Sequence, residues 1–388
     1  MAGIFDTKFF NAEVFGKYLE TVPRVKQNAF LSAGVLRPRN ELKTLLSDQT
    51  GGNFITVPMT GRIGGDPLNY DGSTNITATG IGTFSQSMIV VGRAKAWTER
   101  DFSLDITGHD FMAEIARQVS EYWDDVDQAT ILATLKGLFG VTTNSFTSDH
   151  TLDISGEAGE AANVSAVTLN NALQKAAGAN KNIFTMVIVN SQVATNLENL
   201  QLLQYVKGTE ANGMQRDMSM ATWNGRRVLI DDDGTVLNGY YSTTSGATGA
   251  LKVVASGATT NQINLADVQA ADFYPAGVAA NDYVVAGIKY QSYILGDGAF
   301  DYCDVGAKVP NEVDRDPATN GGMDTLYARQ RKVFAPRGFS FVQASPAIVS
   351  PTNTQLETAA RWTPVKDTTG DVYYDTKAIP IARIISKA

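Results

Sequence analysis

Apolar positions along the chain fall into two patterns. From residue 107 to 138, Phe111, Ile115, Val119, Tyr122, Val126, Ala129 and Ala133 recur at steps of three and four. That spacing predicts one amphipathic helix over 107–138. Thr107 stands where an N-cap belongs, Asp110 follows in the first turn, and Gly137 and Gly140 mark the end. Ile131, Leu132, Leu135, Leu138 and Phe139 widen the apolar stripe near that end. Some 30 residues at 1.5 Å each make a rod of roughly 45 Å, against an ordinary helix of about 11–12 residues.

Elsewhere the pattern is that of strands between turns. Phe54–Val57, Asn75–Thr79 and Ser87–Val91 are separated by Gly64-Gly65, Pro67, Asp71-Gly72 and Gly80-Ile81-Gly82. They predict a two-stranded excursion over 49–97, with almost no large apolar residue in its middle, 62–83. A hairpin that buries no face of its own is marginal in water, so this one is expected to lie on another surface. Residues 1–48 read as an arm, with scattered aromatics and seven basic against five acidic residues.

The rest alternates. Val167–Ala177 and Ser191–Leu203 read as helices on either side of a buried strand, Ile183–Val189, the order of a small α/β domain. Asn224-Gly225 marks a hairpin, 235–282 a β-rich insertion, and Tyr283–Leu295, Leu326–Phe334 and Ala378–Ile385 further strands. Residues 141–165 read as a polar loop or hairpin. The fold class expected is α+β.

Composition narrows the function. The 388 residues carry 32 basic and 40 acidic side chains, net −8, which argues against a general nucleic-acid binder. One cysteine, Cys303, rules out an internal disulfide framework and a multi-cysteine zinc site. Two histidines, His109 and His150, leave little for histidine chemistry. No apolar run reaches the ~18–20 residues that span a bilayer. The N-terminus lacks a secretory pattern, so a soluble protein made in a cytoplasm is expected.

Candidate chemical motifs fail on register. Asp231-Asp232-Asp233-Gly234 lacks the alternating oxygen ligands of a calcium loop. Gly80-Ile81-Gly82 has no helix after it, and Asp124 and Asp125 are adjacent, so they point about 100° apart on a helix. The carboxylates of 314–324 sit in a loop of Pro, Asn and Gly. No catalytic, cofactor or metal residue is expected.

Charge is segregated instead. Residues 98–127 hold nine acids and two bases, while 325–356 hold Arg329, Arg331, Lys332 and Arg337 and no acid. Complementary charge of this kind sets register between partners. The acidic rod is expected to meet basic strands or arms of neighbouring copies. The candidate inter-subunit contacts are Arg24, Arg37, Arg39, Arg62, Arg93, Glu114, Glu121, Asp124, Asp127, Arg329, Arg331 and Lys332. Reversing Arg331 and Lys332 to Glu is expected to impair assembly.

The order arm, long two-stranded loop, very long helix, α/β domain resembles the major capsid proteins of tailed bacteriophages, the Hong Kong 97-type fold shared with encapsulin shells. Tyr293-Ile-Leu-Gly296-Asp-Gly298-Ala-Phe300 is similar to that family's strand-to-turn segment. Glu312-Val-Asp-Arg-Asp-Pro317, then Leu326, Arg329 and Pro336-Arg-Gly-Phe339, resemble its peripheral-domain pattern.

The resemblance implies an N-arm over 1–48 and an extended loop over 49–97. It implies a peripheral domain over 98–159 and 306–350, with the spine helix 107–138. An axial domain would cover 160–305, with the insertion 235–282, and a C-terminal segment, 351–388, would return to the core. It further implies self-assembly into hexamers and pentamers of an icosahedral shell enclosing a double-stranded DNA genome that is not read by sequence. A scaffolding protein and a portal are implied partners, with the virion capsid as location and no enzymatic activity. The alternatives are an encapsulin-type nanocompartment shell and a β-rich surface protein or adhesin. The extended loop has no lysine from 44 to 94, so the covalent lysine crosslink of some family members is not expected.

Overall fold

A computed structural model describes residues 30, 33–47, 53–60, 66–73, 75, 82–101, 111–157, 159–209, 215–367 and 372–387. Side chains are described for these except 111–117, 206–209, 215–220 and 320. Two compact units emerge, one from 1–147 and 298–379, the other from 148–297 and 380–388.

In chain order the first elements are β1 (Leu36–Pro38), α1 (Glu41–Ser47), β2 (Phe54–Thr60), β3 (Thr83–Arg100) and α2 (Phe111–Leu138). The second unit contributes β4 (Thr151–Asp153), α3 (Thr168–Ala177), β5 (Phe184–Val189), α4 (Ser191–Asn199), β6 (Leu203–Thr209), β7 (Gln215–Trp223) and β8 (Arg226–Ile230). It continues with β9 (Val236–Thr243), β10 (Leu251–Val254), β11 (Gln262–Asn264), α5 (Leu265–Gln269) and β12 (Tyr283–Gly296). The chain then returns with β13 (Phe300–Asp304), β14 (Asn311–Asp316), β15 (Met323–Pro336), β16 (Phe339–Phe341), α6 (Asn353–Glu357) and β17 (Trp362–Pro364), and ends in β18 (Ile381–Ser386).

The first unit is built on a sheet in the order β1-β13-β15-β3-β2, with β14 paired to β15. Alternation along β15 gives its two faces different work. Val333 and Ala335 join Leu42, Leu46, Met88 and Val90 in one apolar cluster, while Leu326 and Ala328 pack against Val119 and Trp123 of α2. Residues 33–47 are therefore part of this unit and not an arm. β1 pairs with β13, and Val35, Leu36, Leu42 and Leu46 are buried.

The excursion is smaller than the sequence implies. β3 is one 18-residue strand, and its first half, with Phe84, Met88, Ile89, Val90 and Val91 buried, belongs to the core. β2 pairs with it from Phe54↔Ile89 to Thr60↔Thr83, and β15 takes over from Val90 to Arg100. Apolar residues that read as one wall of a free hairpin instead fill a sheet. The described stretch 66–73 is exposed throughout. The strand expected at Asn75–Thr79 lies, after Asn75, outside the described residues.

α2 runs for 28 residues, about 42 Å at 1.5 Å each; residues 107–110 lie outside the described residues. Its buried face takes in most of the predicted stripe, with Val119, Ile131, Leu132, Ala133, Leu135, Leu138 and Phe139 all buried, but it is wider and shifted. Tyr122 and Ala129 are exposed, whereas Ser120, Asp124, Asp127, Gln128, Thr130 and Thr134 are buried. A purely apolar criterion missed these polar positions because Asp127 meets Gln330 and Lys332 of the sheet, while Thr130 and Thr134 donate to carbonyls one turn back in the helix itself. Gly137 is required where the helix ends: a Cβ there would lie 2.1 Å from the Leu356 carbonyl oxygen.

The second unit has a ten-stranded sheet, with the path β11-β10-β12-β5-β8-β7-β6 and β9, β18 and β4 attached through β12 and β18. Leu169, Leu173, Val187, Val189, Val193 and Leu197 close an apolar core between α3, α4 and β5. Asn224 and Gly225 take φ of 51° and 77°, the left-handed pair of the expected hairpin turn. The segment 235–282 is knit in, with β9 paired to β12 from Tyr283 to Tyr290. The helix expected over Ser191–Leu203 stops at Asn199, because Gln201 turns left-handed at φ 55° and β6 begins at Leu203. β18 starts at Ile381, after a short turn at Thr376–Ala378, and belongs to this unit. The unit boundaries, 147/148 and 297/298, replace the expected 159/160 and 305/306.

Candidate assembly surface

The root of the excursion is tied by polar contacts, each built on strand or helix geometry. On the α2-facing side of β15, Gln330 Nε2 donates to Asp127 Oδ1 at 3.0 Å, and Lys332 Nζ pairs with Asp127 Oδ2. The Lys332 and Asp127 side chains are 3% and 7% exposed. Both were expected to face a neighbouring copy. The structure corrects that expectation: they are joined inside one chain because the period-two face of β15 lies under the long helix.

Around the position where β3 leaves β2 for β15, a second group converges. Asn53 Oδ1 accepts from Arg331 Nη2 at 2.6 Å, and Asn53 Nδ2 donates to the Val349 carbonyl at 3.0 Å. The Ser350 hydroxyl accepts from the Gly92 amide at 2.9 Å and lies 3.1 Å from the Gly92 carbonyl. Arg93 donates to the Pro351 carbonyl at 2.8 Å and to Asn353 Oδ1 at 2.7 Å, and burial lowers its guanidinium below the usual value. Gln86, fully buried, donates to the Pro336 and Phe339 carbonyls. The far end of β3 is held by Arg315, which spans Asp101 at 2.5 Å and Asp324 at 3.0 Å. The hydrogen bond to Asp101 and the charge of Asp324 raise the Arg315 guanidinium further.

Of the remaining predicted contacts, Arg39 pairs with Asp301 at 3.1 Å and Glu41 at 3.6 Å, and Arg329 with Glu312 at 3.1 Å, half-exposed. Arg37 and Glu121 are exposed, and Asp124 is buried. Arg24 and Arg62 lie outside the described residues, and Glu114 lies on α2 with its side chain undescribed. Asn53, Gln86, Asn353 and Ser350 were missed. Each bonds to a partner roughly 250–300 residues away or lies there itself, and an uncharged amide or hydroxyl carries no sequence signal of that pairing.

The exposed surface holds the complementary material. Tyr70 is 90% exposed and Leu68 half-exposed on the excursion, and Val349 is 70% exposed beside its root. No described helix is long and apolar enough to cross a membrane.

No protein-family model matches the chain. It is 24% identical over 356 residues, 92% of each chain, to the major capsid protein of Bacillus phage SPP1. Its fold matches the capsid of Ralstonia phage GP4 with a TM-score of 0.52 at 10% identity, over 91% of this chain and 87% of that one. The cyanophage Pam1 capsid aligns over 100% of this chain and 96% of that one, at 12% identity and a TM-score of 0.48. The fold is that of tailed-phage capsid proteins, and the sequence resembles a phage major capsid protein over nearly all of its length.

Proposed function

We propose that this chain is the major structural subunit of a tailed-phage capsid, assembling as hexamers and pentamers into an icosahedral shell around double-stranded DNA. The full-length likeness to a phage major capsid protein carries this reading, and the exposed stretch 66–73 on a root tied by hydrogen bonds supports it. Many moderate contacts repeated by symmetry hold such a shell without one strong site. The role is structural and needs no catalytic residue or cofactor. Assembly takes place in the host cytoplasm, with a separate scaffolding protein and a portal as partners. The enclosed DNA is confined and not read by sequence. Arg24, Arg37, Arg62, Glu121 and Arg329 remain the candidates for contacts between copies. Nothing in the fold or the comparisons favours a nanocompartment or a surface protein.

Electron microscopy of the chain expressed in bacteria, with and without residues 1–48, tests the reading. Shells, tubes or capsomers are expected from the full chain. A monomer that stays dispersed even beside a co-expressed scaffold would overturn it. Boiled particles are expected to run as one band near 41.6 kDa; a ladder would reveal covalent crosslinks.

A further inference from the structure

On one face of the sheet in the second unit, two lysines meet over two aromatic rings. β9 and β12 pair Gly239 directly with Gly287. Neither position has room for a side chain. A Cβ on Gly239 would lie 2.7 Å from the Phe273 ring, and one on Gly287 would lie 2.2 Å from the Tyr241 ring. The bare backbone lets both rings approach the sheet, with centroids 5.0 Å apart. Lys289 is two residues on from Gly287 and so shares its face. Its Nζ stands 4.5 Å from the Phe273 centroid and 5.7 Å from that of Tyr241. Lys387 Nζ stands 5.4 Å from the same Tyr241 centroid.

Register brings the two lysines together. β12 and β18 are antiparallel and pair Tyr290 with Ser386, so Lys289 and Lys387 are the next residues on each strand and stand opposite one another. The Lys387 amide is held by the Ala162 carbonyl at 2.9 Å. Opposed residues of antiparallel strands have Cβ atoms about 4.5–5.5 Å apart, and like charges there destabilise the sheet. One ammonium satisfies a pair of rings; the second adds repulsion. Neither ammonium has an ion pair or a hydrogen bond among the described residues. Asp153 Oδ1 accepts instead from the Ser155 amide at 2.9 Å and hydroxyl at 2.6 Å. The Tyr241 hydroxyl reaches only the Ile288 carbonyl, at 3.5 Å. Burial first, and the charge of Asp153 second, raise this phenol above its ordinary value, so it keeps its proton and can donate.

Two positive charges with their N–H donors therefore share one site. Lys289 is half-buried and Lys387 exposed, so the site is open to solvent. A carboxylate brings a single charge. A phosphate monoester brings about −1.5 to −2 on three strong acceptor oxygens, the better match to two ammonium groups. We propose that Lys289 and Lys387, held over the Tyr241–Phe273 pair, form a binding site for a phosphate dianion, free or as a monoester. The rings set where the ammonium groups stand, and the anion removes their repulsion. The site lies inside one unit and does not rest on the capsid reading.

The probe is inorganic phosphate, titrated into the full chain at constant ionic strength and mildly alkaline pH, with binding followed by phosphorus NMR. Saturable binding is expected. Lys289→Gln and Lys387→Gln should each weaken it at least about tenfold, the worth of one charge-assisted hydrogen bond. A parent that binds no phosphate overturns the proposal, as does binding that both variants retain. Should a variant fail to fold, the parent alone decides. Phosphate should slow acetylation of Lys289 and Lys387, mapped by mass spectrometry, and leave the exposed Lys181 unchanged; equal rates at all three with and without phosphate overturn the proposal. A nucleoside monophosphate that competes with phosphate extends the site to monoesters, and one that does not restricts it to the free ion. Displacement by a short DNA duplex without terminal phosphates would give the site to a diester backbone and overturn the assignment to a dianion.

Discussion

In the second unit, β5 buries five of its six side chains, all five apolar, and sets Phe184, Val187 and Val189 against helices that present leucine, valine and alanine. In the first unit, β15 turns Leu326, Ala328, Gln330, Lys332 and Phe334 toward a helix that answers with Val119, Trp123, Asp127 and Ile131. Both are strands packed on helices, yet the terms differ. Apolar surfaces attract without direction. A buried ion pair needs one alignment and is costly in any other. The first unit carries the excursion, and its polar seam fixes the register from which those strands depart.

The sharpest way to break the comparison is Lys332→Ala. It removes the cation paired with the buried Asp127 carboxylate, and should lose about 3–5 kcal/mol, read from urea unfolding by circular dichroism. Lys332→Met with Asp127→Leu removes both charges and should recover most of that loss; no recovery would mean the seam depends on more than the ion pair. The reversal of Arg331 and Lys332 to Glu should accordingly fail in folding before it fails in assembly.

Leu173→Ala in the apolar core of the second unit should lose about 2–5 kcal/mol, with no comparable apolar double replacement to restore it. Arg93→Ala removes hydrogen bonds of a half-buried charged group and should lose about 1.5–3 kcal/mol. Arg329→Ala breaks an exposed pair and should change stability by under about 1 kcal/mol, less in high salt. The smallest expected effect is on pH. Hydrogen bonds from Ser191 hold the Asp232 carboxyl below its usual range. Its contribution is complete above the unfolded value and fades as pH falls through the lower folded value. Asp232→Asn should flatten that slope in acid-unfolding curves.

How much could be read in advance depended on the range of the interaction. The Asn-Gly hairpin at 224–225 was legible because the two residues that need left-handed backbone are adjacent. The strand Phe184–Val189 was legible from six residues. The long helix was legible in extent, and its end at Gly137–Gly140 too, but only the apolar part of its buried face was. Asp127 looks like a solvent-facing residue until Gln330 and Lys332, two hundred positions on, are placed beneath it. Residues 33–47 read as an arm because their partner strand, Phe300–Asp304, lies more than 250 residues away.

The sequence by itself determined the class of this protein: α+β, one very long helix, and an excursion too poor in apolar residues to stand alone. These follow from local periodicity and composition, which act over a few residues. Tertiary structure alone decided which charges are shared inside the chain and which are left for neighbours. That choice is made by pairings between residues hundreds of positions apart, where burial turns a surface charge into an internal one and no local pattern records the partner.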